Sequence, residues 1–245
     1  MAEARARPNP EQEPTRDAGV GGWDPWWVAA RLTAGAAFRA AFRLRVRGRT
    51  EIPDRGGALL AYNHVSVLDP IAVALAAGSA GRPVRFMALS ELFEHGVVGW
   101  TLRVTRQVPL RRGLGDWDAI ENVADVVRTG SLAAMSPEGT VGGGEALQPG
   151  QRGAARIALV AGVPIVPVGV WGTQRRWPRA GLHRRPPLRP VVGVVVGPAI
   201  QVQGDARSRP DVLALTDRLM FALGKAVEGA RILAGEKLTL GKRSR

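Results

Sequence analysis

Short β-type runs alternate with helical stretches along most of this 245-residue chain, and that alternation limits its possible folds more than any other feature. ALLAY (58–62), VRFMAL (84–89), QVPL (107–110), LAAMS (132–136), PIVPVGV (164–170) and VVGVVVG (191–197) read as strands. Helical spacing begins at about residue 69 and about residue 90, covers about 116–129 and about 151–161, and closes the chain from about 211 to 234. Strands that alternate with helices bury both faces of a sheet. The expected fold class is therefore α/β, a mostly parallel central sheet flanked by helices and preceded by an N-terminal amphipathic helix. A hydrophobic content of 45% is enough for the buried core of one such unit.

Three parts follow from the order of these segments. Residues 1–22 mix Pro, Gly and both charge signs without periodicity and read as a disordered arm; the basic-then-apolar order of a secretory signal is absent. In residues 23–43, Trp26, Trp27, Ala30, Ala34, Ala37, Phe38, Ala41 and Phe42 recur at spacings of three and four. Arg31, Arg39 and Arg43 interrupt the apolar run well short of the roughly 18 residues that a spanning helix needs. Such a helix can lie in a membrane interface, Trp rings at headgroup level and guanidiniums on phosphates, or it can pack onto the domain with its Arg residues in solvent. Residues 44–240 make up the domain itself.

The chain contains no cysteine, which removes disulfides, thiolate metal sites and a sulfur nucleophile. Its 34 basic residues outnumber 21 acidic ones, a net charge of +13. Between Glu145 and Asp205 no acidic residue occurs, while Arg152, Arg156, Arg175, Arg176, Arg179, Arg184, Arg185 and Arg189 all fall there. A surface of this sign attracts phosphates, whether on anionic lipid, a small substrate or nucleic acid. Trp171 and Trp177 interleave with these arginines and suit a base-stacking platform or a lipid interface equally well. No His-and-carboxylate spacing points to a metal, and neither a P-loop nor a dinucleotide fingerprint is present.

The stretch NHVSVLDP (63–70) concentrates chemistry-bearing side chains between the strand at 58–62 and the helix that follows. Turns in that position line the ligand crevice of α/β sheets. His64 and Asp69 stand five residues apart, about 140° out of phase on an ideal helix, and so cannot face each other if the whole stretch is helical. They meet if residues 63–66 form a turn and Asp69 lies in the first helical turn. Asp69 would then fix the imidazole tautomer and leave the other ring nitrogen free as a base. The plain alternative is a helix start capped by Ser66 or Asn63, with His64 in solvent. A Ser-His-Asp hydrolase is disfavoured, because Ser66 is only two residues from His64 and no G-x-S-x-G elbow exists.

Four blocks in order resemble the glycerolipid acyltransferases, in particular the 1-acylglycerol-3-phosphate acyltransferases. NHxxxxD supplies Asn63, His64, Ser66 and Asp69; RQVPLRR supplies Arg112; SPEGT (136–140) supplies Glu138, Gly139 and Thr140; and VPIVPV (163–168) is the fourth block. The resemblance covers about residues 44–205 and departs from the family pattern twice. Arg106 stands where a Gly usually opens the second block, and Val141 stands where an Arg usually follows the third.

The resemblance implies that His64, oriented by Asp69, takes the proton from an acceptor hydroxyl as it attacks an acyl thioester, with no acyl-enzyme. Asn63, Ser66, Arg112, Glu138, Gly139 and Thr140 are its implied substrate-binding residues, with Arg112 on the acceptor phosphate. The expected reaction acylates 1-acylglycerol-3-phosphate to phosphatidate in phospholipid biosynthesis. It uses acyl-CoA or acyl carrier protein as co-substrate and no resident cofactor or metal. The expected setting is an anionic membrane surface, on the cytoplasmic face, with no nucleic-acid partner. Val141 leaves room for a different lysolipid acceptor, and Arg106, Arg111 and Arg152 are candidates to replace the missing cation. A non-catalytic basic protein that binds membrane or nucleic acid is the reading from another class.

Overall fold

The computed structural model describes residues 25–110, 117–143, 146–179, 181–183 and 187–236. Seven strands form one sheet in the order β1-β7-β6-β2-β5-β3-β4. They are β1 Arg43–Arg47, β2 Ala58–Tyr62, β3 Val84–Leu89, β4 Val108–Leu110, β5 Leu132–Met135, β6 Ile165–Trp171 and β7 Val191–Val196. All neighbouring pairs are parallel except β6 with β7, which run antiparallel with Val168 opposite Val196. Among the described residues the six α-helices are α1 Pro25–Ala41, α2 Asp69–Ser79, α3 Gly96–Val104, α4 Trp117–Arg128, α5 Gly153–Ala161 and α6 Arg209–Leu233.

Every residue of β2 and β6 is buried, which is why these segments read as continuous apolar runs and not as alternating ones. Successive side chains still go to opposite faces. Ala58, Leu60 and Tyr62 enter a core with Val166, Val168 and Val170 under α1 and α2, whereas Leu59 and Ala61 join Ile120, Val123, Ile157 and Leu219 under α4, α5 and α6. Glycines let α6 settle on the sheet with its backbone almost touching. A Cβ at Gly169 would sit 2.2 Å from the Ala226 carbonyl carbon, and one at Gly193 would sit 2.3 Å from the Ala230 oxygen.

The N-terminal helix packs onto the domain. Trp27 is buried with its indole N–H donating to the Val84 carbonyl at 3.4 Å, Phe38 stacks on Phe42 with centroids 4.7 Å apart, and Gly35 is buried against Leu75 of α2. Trp26 and Leu32 remain exposed on the other side. The helix ends at Ala41, and Arg43, the last residue of the expected helix, instead opens β1. The alternation RLRVR explains this: Leu44 and Val46 pack on the core while the three arginines are exposed at the sheet edge. The expected helix from about residue 90 is a 3-10 turn over Ser90–Glu94 and then α3, divided at Gly96 with φ of 27°. The expected arm 1–22, residues 23 and 24, and the stretch 237–240 at the end of the expected domain lie outside the described residues. No described helix is long and apolar enough to cross a membrane.

Candidate active site

β2, β5 and β6 are adjacent and parallel, so their C-terminal ends open on the same edge of the sheet. The NHVSVLD turn follows β2, the SPEGT turn follows β5, and Gly172–Thr173 follow β6. Such an edge is where open α/β sheets hold ligands, and the pairing of three strands here brings together blocks more than a hundred residues apart in sequence.

His64 and Asp69 meet. Asp69 is fully buried in the first turn of α2, and its Oδ2 lies 3.0 Å from His64 Nδ1. The same Oδ2 accepts the backbone N–H groups of Val65 at 2.6 Å and Ser66 at 2.7 Å, so the turn wraps around the carboxylate. The other oxygen, Oδ1, accepts the hydroxyl of Thr173 at 2.5 Å. Asp69 therefore acts as acceptor on both oxygens, which assigns the Nδ1 proton to His64 as donor. Nε2, the far nitrogen of the ring, keeps its lone pair for a substrate. The His64 side chain is 19% exposed, enough for one edge of the ring to be reached from outside while the other is locked.

Buried around the pair are groups that hold it. Asn63 donates through Nδ2 to the Val170 carbonyl at 2.9 Å and accepts the Val170 N–H through Oδ1 at 2.7 Å, which rivets the end of β2 to β6. Ser66 is buried and its Oγ accepts from the Leu68 N–H at 3.2 Å. α2 begins without a side-chain cap of the ordinary kind, the turn being closed by Asp69 itself. In the structure Asn63 and Ser66 shape the turn that carries His64 and Asp69.

Glu138 is likewise turned inward. Oε1 accepts the backbone N–H of His64 at 2.8 Å, and Oε2 accepts that of Gln148 at 2.8 Å. Burial pushes its pKa above the ordinary carboxylate range, and the N–H groups of Gln148 and His64 work against that rise. Gly142 adds a second clasp, its N–H donating to the His64 carbonyl at 2.6 Å. Both backbone groups of His64 are therefore held by the segment after β5. Gly139, with φ of 68°, makes the tight turn that lets Glu138 point in, and Gly139 and Thr140 are exposed at its tip. Tyr62 closes the wall beside His64, its ring edge-on to the imidazole at 5.7 Å. Burial and the Asp69 charge push its phenol well above the usual range, so it stays neutral.

Arg112 and Arg111 lie outside the described residues. Arg106 adopts φ of 54°, the left-handed conformation for which a glycine is the usual residue, so the replacement preserves the turn at the entry to β4. Arg152 is exposed just before α5. No three His, Cys, Asp or Glu among the described residues stand together as a metal site. Thr173 was not singled out by sequence reasoning; its only signal is its place at the end of the fourth strand block, two residues past Trp171.

The family model described as Acyltransferase matches residues 43–171, from the start of β1 to the end of β6. The chain belongs to the acyltransferase family. Among its relatives is a chloroplastic 1-acyl-sn-glycerol-3-phosphate acyltransferase of Brassica napus, 28% identical over 152 residues, which are 61% of this chain and 43% of that protein. Another is a 1-acyl-sn-glycerol-3-phosphate acyltransferase of Pseudomonas aeruginosa, 25% identical over 170 residues, 68% of this chain and 62% of that one. The chain spans less than half the length of the plant relatives it matches. The crystal structure of the 1-acyl-sn-glycerophosphate acyltransferase PlsC from Thermotoga maritima superposes with a TM-score of 0.64 at 22% identity, over 86% of this chain and 80% of that one. That acyltransferase fold is the one described above. Thr173 and the antiparallel β7 lie beyond the stretch matched to the family.

Proposed function

We propose that this acyltransferase moves a fatty acyl group from a thioester, acyl-CoA or acyl carrier protein, to the free hydroxyl of 1-acylglycerol-3-phosphate, giving phosphatidate for phospholipid synthesis. The observation that carries the reading is the His64–Asp69 pair at 3.0 Å, with one ring nitrogen committed and the other not. Nε2 takes the proton of the acceptor hydroxyl as its oxygen attacks the thioester carbonyl; the tetrahedral centre then collapses, the C–S bond breaks, and the departing thiolate takes the proton back. Atoms balance without an acyl-enzyme. Asp69 stabilises the imidazolium between the two transfers, and Glu138, Gly142, Asn63 and Thr173 keep the pair aimed. Arg112 is assigned to the acceptor phosphate on the strength of its place in the second block. A phosphate held there brings the hydroxyl to the base already oriented, which supplies much of the rate in reactions of this kind.

The proposed setting is the cytoplasmic surface of a membrane. Trp26 of α1 meets Trp100 of α3 edge-on at 5.5 Å, and Val97 and Val98 of α3 are 79% and 52% exposed; exposed Trp and Val side chains support the reading, since they suit a membrane interface. Val141 favours a second reading of the acceptor only, a lysolipid with a different headgroup. One experiment tests both. The full chain is given a radiolabelled acyl thioester with a panel of lysolipids. Label on 1-acylglycerol-3-phosphate above the others is the expected result, preference for another lysolipid selects the second reading, and label on none of them refutes the proposal.

A further inference from the structure

A cleft of about 690 Å³ lies along the open edge of the sheet, between β1, the end of α1 and the second half of α2. Four arginines, Arg39, Arg43, Arg49 and Arg189, share its lining with apolar Phe42 and Leu75, and no acidic residue lines it. It is not the catalytic opening. From β2 to β1 there are three strand steps, roughly 14 Å at about 4.8 Å each. Leu75 and Ser79 also lie six and ten residues along α2 from Asp69, roughly 9 and 15 Å at about 1.5 Å per residue.

The arginines are drawn to this cleft from three separate segments. Arg39 comes from α1, Arg43 opens β1 and Arg49 lies in the turn after it, and Arg189 comes from the approach to β7. Arg189 has φ of 47°, which a non-glycine residue adopts at a cost, and its guanidinium donates to the Arg39 carbonyl at 2.9 Å, tying two of the contributing segments together. Among the described residues no carboxylate forms an ion pair with any of the four. Glu51 is near in sequence, in the same short turn as Arg49, but does not line the cleft. Like charges that share one opening without an acid repel each other, and a doubly charged oxyanion relieves the repulsion while accepting several forked N–H donors. Leu44 and Val46, partly exposed in the same lining, give the cleft an apolar wall, which inorganic phosphate does not need and an adjoining hydrocarbon chain does.

From this juxtaposition we infer that the edge cleft is a second phosphate-ester site, taking a phosphate group that carries an apolar chain. The headgroup of a bilayer phospholipid and the phosphorylated end of an acyl thioester share that chemistry. Binding to the full chain is measured by calorimetry at fixed ionic strength with inorganic phosphate, with a short-chain phosphatidate kept below its micelle concentration, and with a short-chain acyl coenzyme A.

The variants are the double change Arg43→Ala with Arg49→Ala, and Arg209→Ala with Arg218→Ala, which removes the same two charges from exposed positions on α6. Saturable binding of a phosphate ester that is tighter than inorganic phosphate, weakened tenfold or more by the first pair and less than twofold by the second, is the expected result. Preference for phosphatidate identifies the headgroup as the source, and preference for acyl coenzyme A identifies the donor. Binding is repeated with His64→Ala, so the outcome does not depend on acyl transfer, and that variant is expected to bind as the unaltered chain does. No saturable binding, or equal weakening by both pairs, overturns the inference.

Discussion

Replacing Thr173 with Val removes one hydroxyl and changes the volume of a fully buried side chain very little. In the native turn, Asp69 Oδ2 has three donors while Oδ1 has Thr173 Oγ1 at 2.5 Å. Both residues are fully buried, and the new methyl fills the space that a water would need. The variant therefore leaves a carboxylate oxygen in a dry site without its donor. Hydrogen bonds to charged groups contribute about 1.5–3 kcal/mol, so unfolding in urea is expected to show a loss of about 2 kcal/mol.

Catalysis suffers by a different route. A carboxylate free to rotate no longer fixes the Nδ1 side of His64, and if about 1.4 kcal/mol of that bond is felt in the transition state, kcat falls about tenfold. KM for the thioester stays the same, because Thr173 meets the substrate only through Asp69 and His64. The assay is convenient for this chain: thiol released from the donor can be followed with a thiol reagent, and a protein with no cysteine adds no background. Thr173→Ser restores the oxygen and should recover most of the loss in both measurements. A Val variant with unaltered kcat, or a Ser variant as impaired as Val, would refute the positioning role.

Three further outcomes follow from the same geometry. Asn63→Ala leaves the buried N–H and C=O of Val170 without partners, at about 1–3 kcal/mol each, so the urea midpoint should fall by about 3 kcal/mol of stability; a loss under about 1 kcal/mol contradicts the rivet between β2 and β6. Glu138, with its pKa raised by burial, binds a proton more readily in the native chain than in the unfolded one, so its contribution to stability is greatest in acid and is lost as pH rises from the usual carboxylate value through the raised one. In Glu138→Gln the urea midpoint should lack that decline, and parallel pH profiles for the two proteins would contradict it. Val98→Glu with Trp100→Glu should weaken flotation with anionic vesicles at least fivefold while leaving turnover of water-soluble substrates near its original value; unchanged flotation removes this patch from the membrane contact.

How far the sequence exposed this structure depended on whether the signal was local. Strands buried on both faces, such as ALLAY and PIVPVGV, are visible as apolar runs, and their positions match β2 and β6 within a residue. RLRVR was hidden, because an edge strand with arginines on alternate positions looks like the tail of the Arg-bearing helix before it. Strand order and the antiparallel turn of β7 were illegible, since they depend on which buried faces meet across the sheet. At the site, the His64–Asp69 contact could be framed in advance as a condition on the turn, and the turn satisfies it. The inward commitments of Asn63, Ser66 and Glu138 could not, because their partners at Val170, Leu68 and Gln148 are backbone groups, and backbone groups carry no mark in a sequence. Thr173 was out of reach for a related reason: a Thr after a strand is common, and only the pairing of β6 beside β2 brings it to Asp69.

A base at position 64 that is aimed from position 69 is tested most directly by single-turnover transfer from a labelled acyl thioester to 1-acylglycerol-3-phosphate, comparing the native chain with His64→Ala on vesicles to which both bind equally. The account predicts a rate lowered by about a hundredfold to ten-thousandfold, the usual contribution of a positioned general base, with vesicle binding unchanged. Transfer by His64→Ala within a few-fold of the native rate would contradict it.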